Sequence, residues 1–131
     1  MFKKIAFTMY PVTDLARARA FYEDTLGLPG AKELGGGKWL EFDLPQGGCL
    51  ALTTMAQGVT PSDAAGGSLA LEVEDICALC ETLKAKGVKF KMDIFESPVC
   101  HMAVCLDSEG NALMLHQLKS AAGSPPGEPM R

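Results

Sequence analysis

The chain has 131 residues, 47% of them hydrophobic, and a formal net charge of −4. That length suits one well-buried domain of about 100–150 residues and is too short for two independent ones. The acidic balance, with no Lys/Arg block beyond Lys3-Lys4 and the Lys84 to Lys91 stretch, excludes an electrostatic footprint for nucleic acid, and no apolar run approaches the roughly 20 residues of a membrane span.

The start, Met1-Phe2-Lys3-Lys4-Ile5, lacks the apolar region of a signal peptide. The five cysteines, Cys49, Cys77, Cys80, Cys100 and Cys105, are odd in number and lack the spacing of a disulfide framework. A cytoplasmic protein with free thiols is expected. Residues 4–10 then read as a strand, and Asp14 caps a helix whose apolar stripe is Leu15, Ala18, Phe21 or Tyr22, and Leu26. Gly27 ends that helix. Gly35-Gly36-Gly37 lacks the Lys-Ser/Thr of a phosphate loop and precedes a strand, so it reads as a hairpin turn. Residues 38–44 alternate with period two and 49–54 return after Pro45-Gln46-Gly47-Gly48.

Residues 55–67 are small and turn-forming and read as a linker. The plan then repeats. Residues 68–73 form a strand, Asp75 caps a helix with Ile76, Leu79, Cys80 and Leu83 on one face, and Gly87 stops it. Strands are predicted over 88–95, 98–106 and 111–118, with Asp107-Ser108-Glu109-Gly110 as a turn. The Pro- and Gly-containing tail, 119–131, is expected to be disordered. A strand-helix-strands unit that occurs twice pairs two modules, here 3–55 and 67–118 of a single domain spanning 3–118.

Val12-Thr13-Asp14-Leu15 with Ala20-Phe21-Tyr22 and Leu26-Gly27, and Asp107-Ser108-Glu109-Gly110-Asn111 before the closing strand, resemble the vicinal oxygen chelate superfamily of glyoxalase I, bleomycin-resistance proteins, fosfomycin-resistance transferases and extradiol dioxygenases. The resemblance implies an α+β fold of two βαβββ modules that form an open, U-shaped mixed sheet around a cleft. It also implies a homodimer. Metal-dependent members take His, Gln or Glu ligands from four positions, which by the motif anchors fall here at Phe7, Ala51, Ser68 and Met114. Divalent transition metals need nitrogen or anionic oxygen, so the usual metal site is expected to be missing and no cofactor is expected.

Residues two apart on a strand share a face, which extends these anchors into a wall. Ile5 and Met9 join Phe7, Cys49 and Thr53 join Ala51, and Ala70 and Glu72 join Ser68. Ala112 and His116 join Met114; a tight Asp107–Gly110 turn opposes Val104 to Met114 and Met102 to His116, with Cys100 one step beyond. Trp39, Glu41 and Asp43 lie opposite the apolar set Leu40, Phe42 and Leu44. The expected binding residues are therefore Phe7, Met9, Trp39, Glu41, Cys49, Ala51, Ser68, Glu72, Met102, Val104, Met114 and His116. Their composition suits a small apolar or aromatic molecule fixed by a few hydrogen bonds.

His116 is the candidate catalytic acid or base, or else a rim hydrogen-bonder; with Cys100 it would make a nucleophile and base. His101 has the opposite parity. Glu41 and Glu72 would meet a cationic group, serve as a base or stay solvated, and Trp39 would stack on a ligand or pack at a dimer face. Cys77-Ala78-Leu79-Cys80 lies mid-helix without a second ligand pair, which favours core packing for Cys80. Two functions follow: a metal-free small-molecule binding protein, or a glyoxalase-like lyase or dioxygenase with a non-standard or absent metal site.

Overall fold

The computed structural model describes residues 1 and 3–119, and the tail expected to be disordered lies outside them from residue 120 onward. Two aspartates start the two principal helices in the same way. Asp14 (φ −137°, ψ 106°) accepts from the Arg17 N–H at 3.0 Å and Asp75 (φ −138°, ψ 92°) accepts from the Ala78 N–H at 3.0 Å. Each such cap satisfies an otherwise orphaned donor and contributes about 1 kcal/mol. The stops match too: Gly27 (φ 87°) and Gly87 (φ 85°) take the left-handed conformation that a Cβ would strain.

Contacts within the chain group into two units. The first comprises Met1–Ala65 together with Asp107–Asn111; the second comprises Gly66–Leu106 and the chain from Ala112. The first holds β1 (Thr8–Pro11), helix α1 (Leu15–Arg19), a π-helical continuation over Ala20–Thr25, β2 (Ala31–Leu34), a 3-10 turn over Gly35–Gly37, β3 (Trp39–Asp43) and β4 (Cys49–Thr53). They form an open four-stranded mixed sheet in the order β1-β4-β3-β2, with β1 parallel to β4. The second holds β5 (Leu69–Glu72), α2 (Ile76–Ala85), β6 (Phe90–Glu96), β7 (Cys100–Leu106) and β8 (Ala112–Leu118), in the order β5-β8-β7-β6 with β5 parallel to β8. The expected α+β class and the doubled strand-helix-strands plan are both present.

One boundary differs from the sequence reading, and one strand, β2, was not read from it. β1 begins at Thr8 rather than residue 4, because its parallel partner begins at Cys49: Thr8 pairs with Leu50, and a ladder continued toward Lys4 would outrun β4 into the turn before it. β2 shows no alternation, since three of its four residues are exposed at the sheet edge. The core of the first unit is built on one sheet face by Leu40, Phe42, Leu50 and Leu52 with Ala18, Phe21 and Tyr22 of the helix. Tyr22 lies between Phe21 and Phe42, with ring centroids 5.3 and 6.1 Å away. In the second unit Leu71, Ala103, Cys105, Leu113 and Leu115 share the sheet's fully covered face, and Ile76, Cys80 and Leu83 supply the buried stripe of α2. Among the described residues no helix is long and apolar enough to cross a membrane.

Candidate functional site

With one face of each sheet committed to its helix, the period-two rule sends the expected wall residues to the other. In the first unit that face reads Met9, Ala51, Glu41 across three neighbouring strands, with Pro11, Thr53 and Trp39 one row along. Ala51 and Thr53 are buried, whereas Phe7 and Met9 remain 45% and 38% exposed. Phe7 meets Trp39 edge to face at 5.1 Å, and the indole Nε1–H donates to Glu41 Oε2 at 2.8 Å. Trp39 therefore packs on a protein ring and has its polar handle satisfied. Cys49 sits beside Glu41 and Asp43; burial first, then the neighbouring carboxylates, push its thiol up to about 11. It is a poor nucleophile.

A second polar cluster in this unit explains the Asp107–Asn111 motif. Asp107 Oδ2 accepts from the Tyr22 hydroxyl at 2.7 Å, and Oδ1 accepts from the backbone N–H groups of Glu109 and Asn111, each at 2.8 Å. Asn111 Nδ2 donates to the Pro11 carbonyl at 3.0 Å, and its Oδ1 accepts from the Ser62 N–H at 3.1 Å. Glu109 accepts from the Thr13 N–H and hydroxyl, the Asp14 N–H and the Arg17 guanidinium, the last at 2.7 Å. The Arg17 hydrogen bond, opposed by burial and reinforced by Thr13 and Ser108, holds the Glu109 carboxyl at about 2. This carboxylate is fully satisfied. Its work is to fasten the entry of α1.

The second unit places the remaining polar candidates together. Val104 pairs with Met114 and Met102 with His116, as the tight turn requires; on the other side Ala70 pairs with Met114 and Glu72 with His116. Glu72, His116, Met102 and Phe95 thus form one row across four strands, flanked by the row Ala70, Met114, Val104 and Met92. Glu72 Oε1 lies 2.5 Å from His116 Nδ1, and Oε2 accepts from the Leu118 N–H at 2.9 Å. His116 is only 4% exposed, and its Nε2 has no hydrogen-bond partner. The alternative pairing of His116 with Cys100 does not form: Cys100 Sγ lies 3.0 Å from Ser97 Oγ, and His116 turns to Glu72. His101 faces Glu96 at 3.9 Å. Cys80 is buried in the core and Cys77 exposed, and none of the five cysteines forms a disulfide.

The model of the Glyoxalase/Bleomycin resistance protein/Dioxygenase superfamily matches residues 4–115. The chain belongs to this superfamily. Among solved structures, it is 26% identical to TnmS3, an antibiotic binding protein from Streptomyces sp. CB03234, over 90% of this chain and 98% of that one, with a TM-score of 0.75. A glyoxalase/bleomycin resistance protein from the same Streptomyces is 28% identical over 83% and 96% of the two chains, with a TM-score of 0.70. Lactoylglutathione lyase from Agrobacterium tumefaciens shares the fold at 19% identity, over 87% and 92%, with a TM-score of 0.67. No protein with a curated description matches the sequence.

The four positions at which the resemblance leads one to expect metal ligands hold a half-exposed phenyl ring (Phe7), a buried methyl group (Ala51), an exposed hydroxyl just before β5 (Ser68) and a thioether (Met114). None of these four side chains is a nitrogen or carboxylate donor. Among the described residues no group of three or more His, Cys, Asp and Glu side chains is placed to hold a metal ion. Two features of this face were not read from the sequence. Phe95 joins the His116 row because register shifts on both sides of Met92 break the alternation of β6. Nothing local in the sequence pairs Glu72 with His116, since parallel pairing is not fixed by any turn; their shared parity is the available signal.

Proposed function

We propose that the protein binds a small, mostly apolar or aromatic molecule and does so without the metal centre of lyase and dioxygenase relatives. The observation that carries this reading is the chemistry at Phe7, Ala51, Ser68 and Met114, four ligand positions filled by carbon, sulfur and a neutral hydroxyl. Partly exposed Phe7 just before β1, Met9 on the first sheet, and Met102 and Met114 on the second support it. So does the similarity to an antibiotic binding protein. Trp39 is the sole tryptophan and lies on such a face, which makes its fluorescence the natural reporter. Chelator-treated protein titrated with bleomycin and a panel of aromatic antibiotics should show saturable quenching by at least one of them, at about micromolar concentration or below. No saturation by any compound, or turnover that appears when divalent metal is added, would sink the reading.

The Glu72–His116 pair favours a second reading, acid-base catalysis by a glyoxalase-like enzyme, because a carboxylate that orients an imidazole is also how a general base is held. Lyase and dioxygenase assays with and without divalent ions test it: activity lost on His116→Leu supports it. The homodimer follows from the resemblance to the family, and solution scattering tests it.

A further inference from the structure

The imidazole of His116 has one nitrogen engaged and one buried without a partner, beside a row of apolar side chains on its sheet face. Its tautomer follows from the neighbours. Glu72 Oε2 accepts from the Leu118 N–H and Oε1 faces Nδ1 at 2.5 Å; an ionised carboxylate only accepts, so Nδ1 carries the proton. In neutral imidazole Nε2 is then a bare acceptor. Buried acceptors of this kind are rare in folded proteins because each forgoes the hydrogen bond it would make with water. The neighbouring row offers no donor, since Ala70, Met114, Val104 and Met92 are apolar. Beside His116 in its own row stands Met102, and methionine side chains are unbranched and yield easily to an incoming molecule.

We propose that His116 Nε2 is the polar anchor of the ligand, taking a hydrogen bond from a hydroxyl on a neutral aromatic molecule, a phenol being the best match. This rests on the reading that the protein binds small aromatic molecules, and names their class. A neutral donor is required because an anion would meet the Glu72 charge next to the imidazole, and a molecule with only acceptors would place two lone pairs face to face. The phenolic O–H is a stronger donor than an aliphatic alcohol, and its ring suits the thioethers of Met102 and Met114. Glu72 is a positioning residue, acting through the ring it orients.

Two probes of nearly equal shape separate the ideas: 2-naphthol, which donates, and 2-methoxynaphthalene, which only accepts. Calorimetry on the whole protein should show 2-naphthol binding at least about tenfold more tightly, the equivalent of one made against one unmade hydrogen bond. Glu72→Gln should reverse the order. The Leu118 N–H demands the amide oxygen, so the amide nitrogen faces Nδ1 and donates to it, and the ring proton moves to Nε2. His116→Leu should bind both probes alike. Nitrogen-15 shifts of the unliganded wild-type ring, which need no variant, should show Nδ1–H. Equal binding of the two probes by wild type, an order that survives Glu72→Gln, or a proton found on Nε2 would overturn the proposal alone. If neither probe binds wild type, both this proposal and the aromatic-ligand reading fail.

Discussion

In the first unit the Glu109 carboxylate accepts from Thr13, Asp14, Arg17 and Ser108; in the second, Glu72 accepts from Leu118 and orients His116, whose far nitrogen is left bare. The units otherwise follow one plan, with the same aspartate caps, the same glycine stops and the same order of strands around a parallel pair. Like frames thus carry unlike polar groups. A satisfied network holds a structure together, whereas an orphaned group on an apolar face costs stability and is retained for what it meets. The comparison makes opposite demands on mutants of the two units, and four experiments press on it.

The largest effect is expected at Asp107. Asp107→Ala strips acceptors from the Tyr22 hydroxyl and from the N–H groups of Glu109 and Asn111, of which Tyr22 is wholly buried. A loss of about 3 kcal/mol or more in urea denaturation follows from removing one carboxylate that accepts several hydrogen bonds in a largely buried cluster. A loss below about 1 kcal/mol would mean that the turn does not fasten the helix entry. Next comes Glu109, whose folded pKa of about 2 lies below the ordinary glutamate value of 4.5. A depressed carboxyl stabilises the fold at pH above its unfolded value and loses that contribution as pH falls from about 4.5 toward 2. The stability gap between wild type and Glu109→Gln should therefore be about 1–3 kcal/mol at pH 7, reduced by the exposure of Arg17, and should close in that acid window. A gap that is flat with pH would refute the assignment.

These contrasts were unequally visible in the amino-acid order. Asp14, Gly27, Asp75 and Gly87 announce their roles through local chemistry, and the Asp107–Gly110 turn fixes the register that sets Met102 against His116, so the helices, most of the strands and one side of the His116 neighbourhood were legible. The other side was not. β5 meets β8 through a long parallel crossover, so no turn length specifies that Glu72 lands beside His116 rather than one pair away. Phe95 was hidden by bulges, and the bonds from Tyr22 to Asp107 and from Arg17 to Glu109 join residues far apart in sequence that no periodicity links.

The third experiment inverts the first. If His116 is kept for a ligand and not for the fold, His116→Leu replaces a buried orphan with apolar bulk of similar size and should stabilise the second unit by about 1 kcal/mol, while Glu72, 54% exposed at its side chain, turns to water. A loss of more than about 1 kcal/mol would mark His116 as a structural residue like Asp107 and erase the difference between the units.

The smallest effect probes the other sheet face. Cys49 is half-buried and its thiol is pushed up to about 11, by burial first and by Glu41 second, so roughly one molecule in a thousand carries the thiolate at pH 8. Iodoacetamide followed by mass spectrometry should label the exposed Cys77 well before Cys49. Glu41→Gln removes the second cause and leaves the first, and it also weakens the acceptor for the Trp39 indole. Labelling of Cys49 should then quicken only about two- to fivefold, because desolvation still opposes the charged form. A much larger acceleration would show the carboxylate, and not burial, to be the dominant restraint, and would recast this face as an electrostatic one.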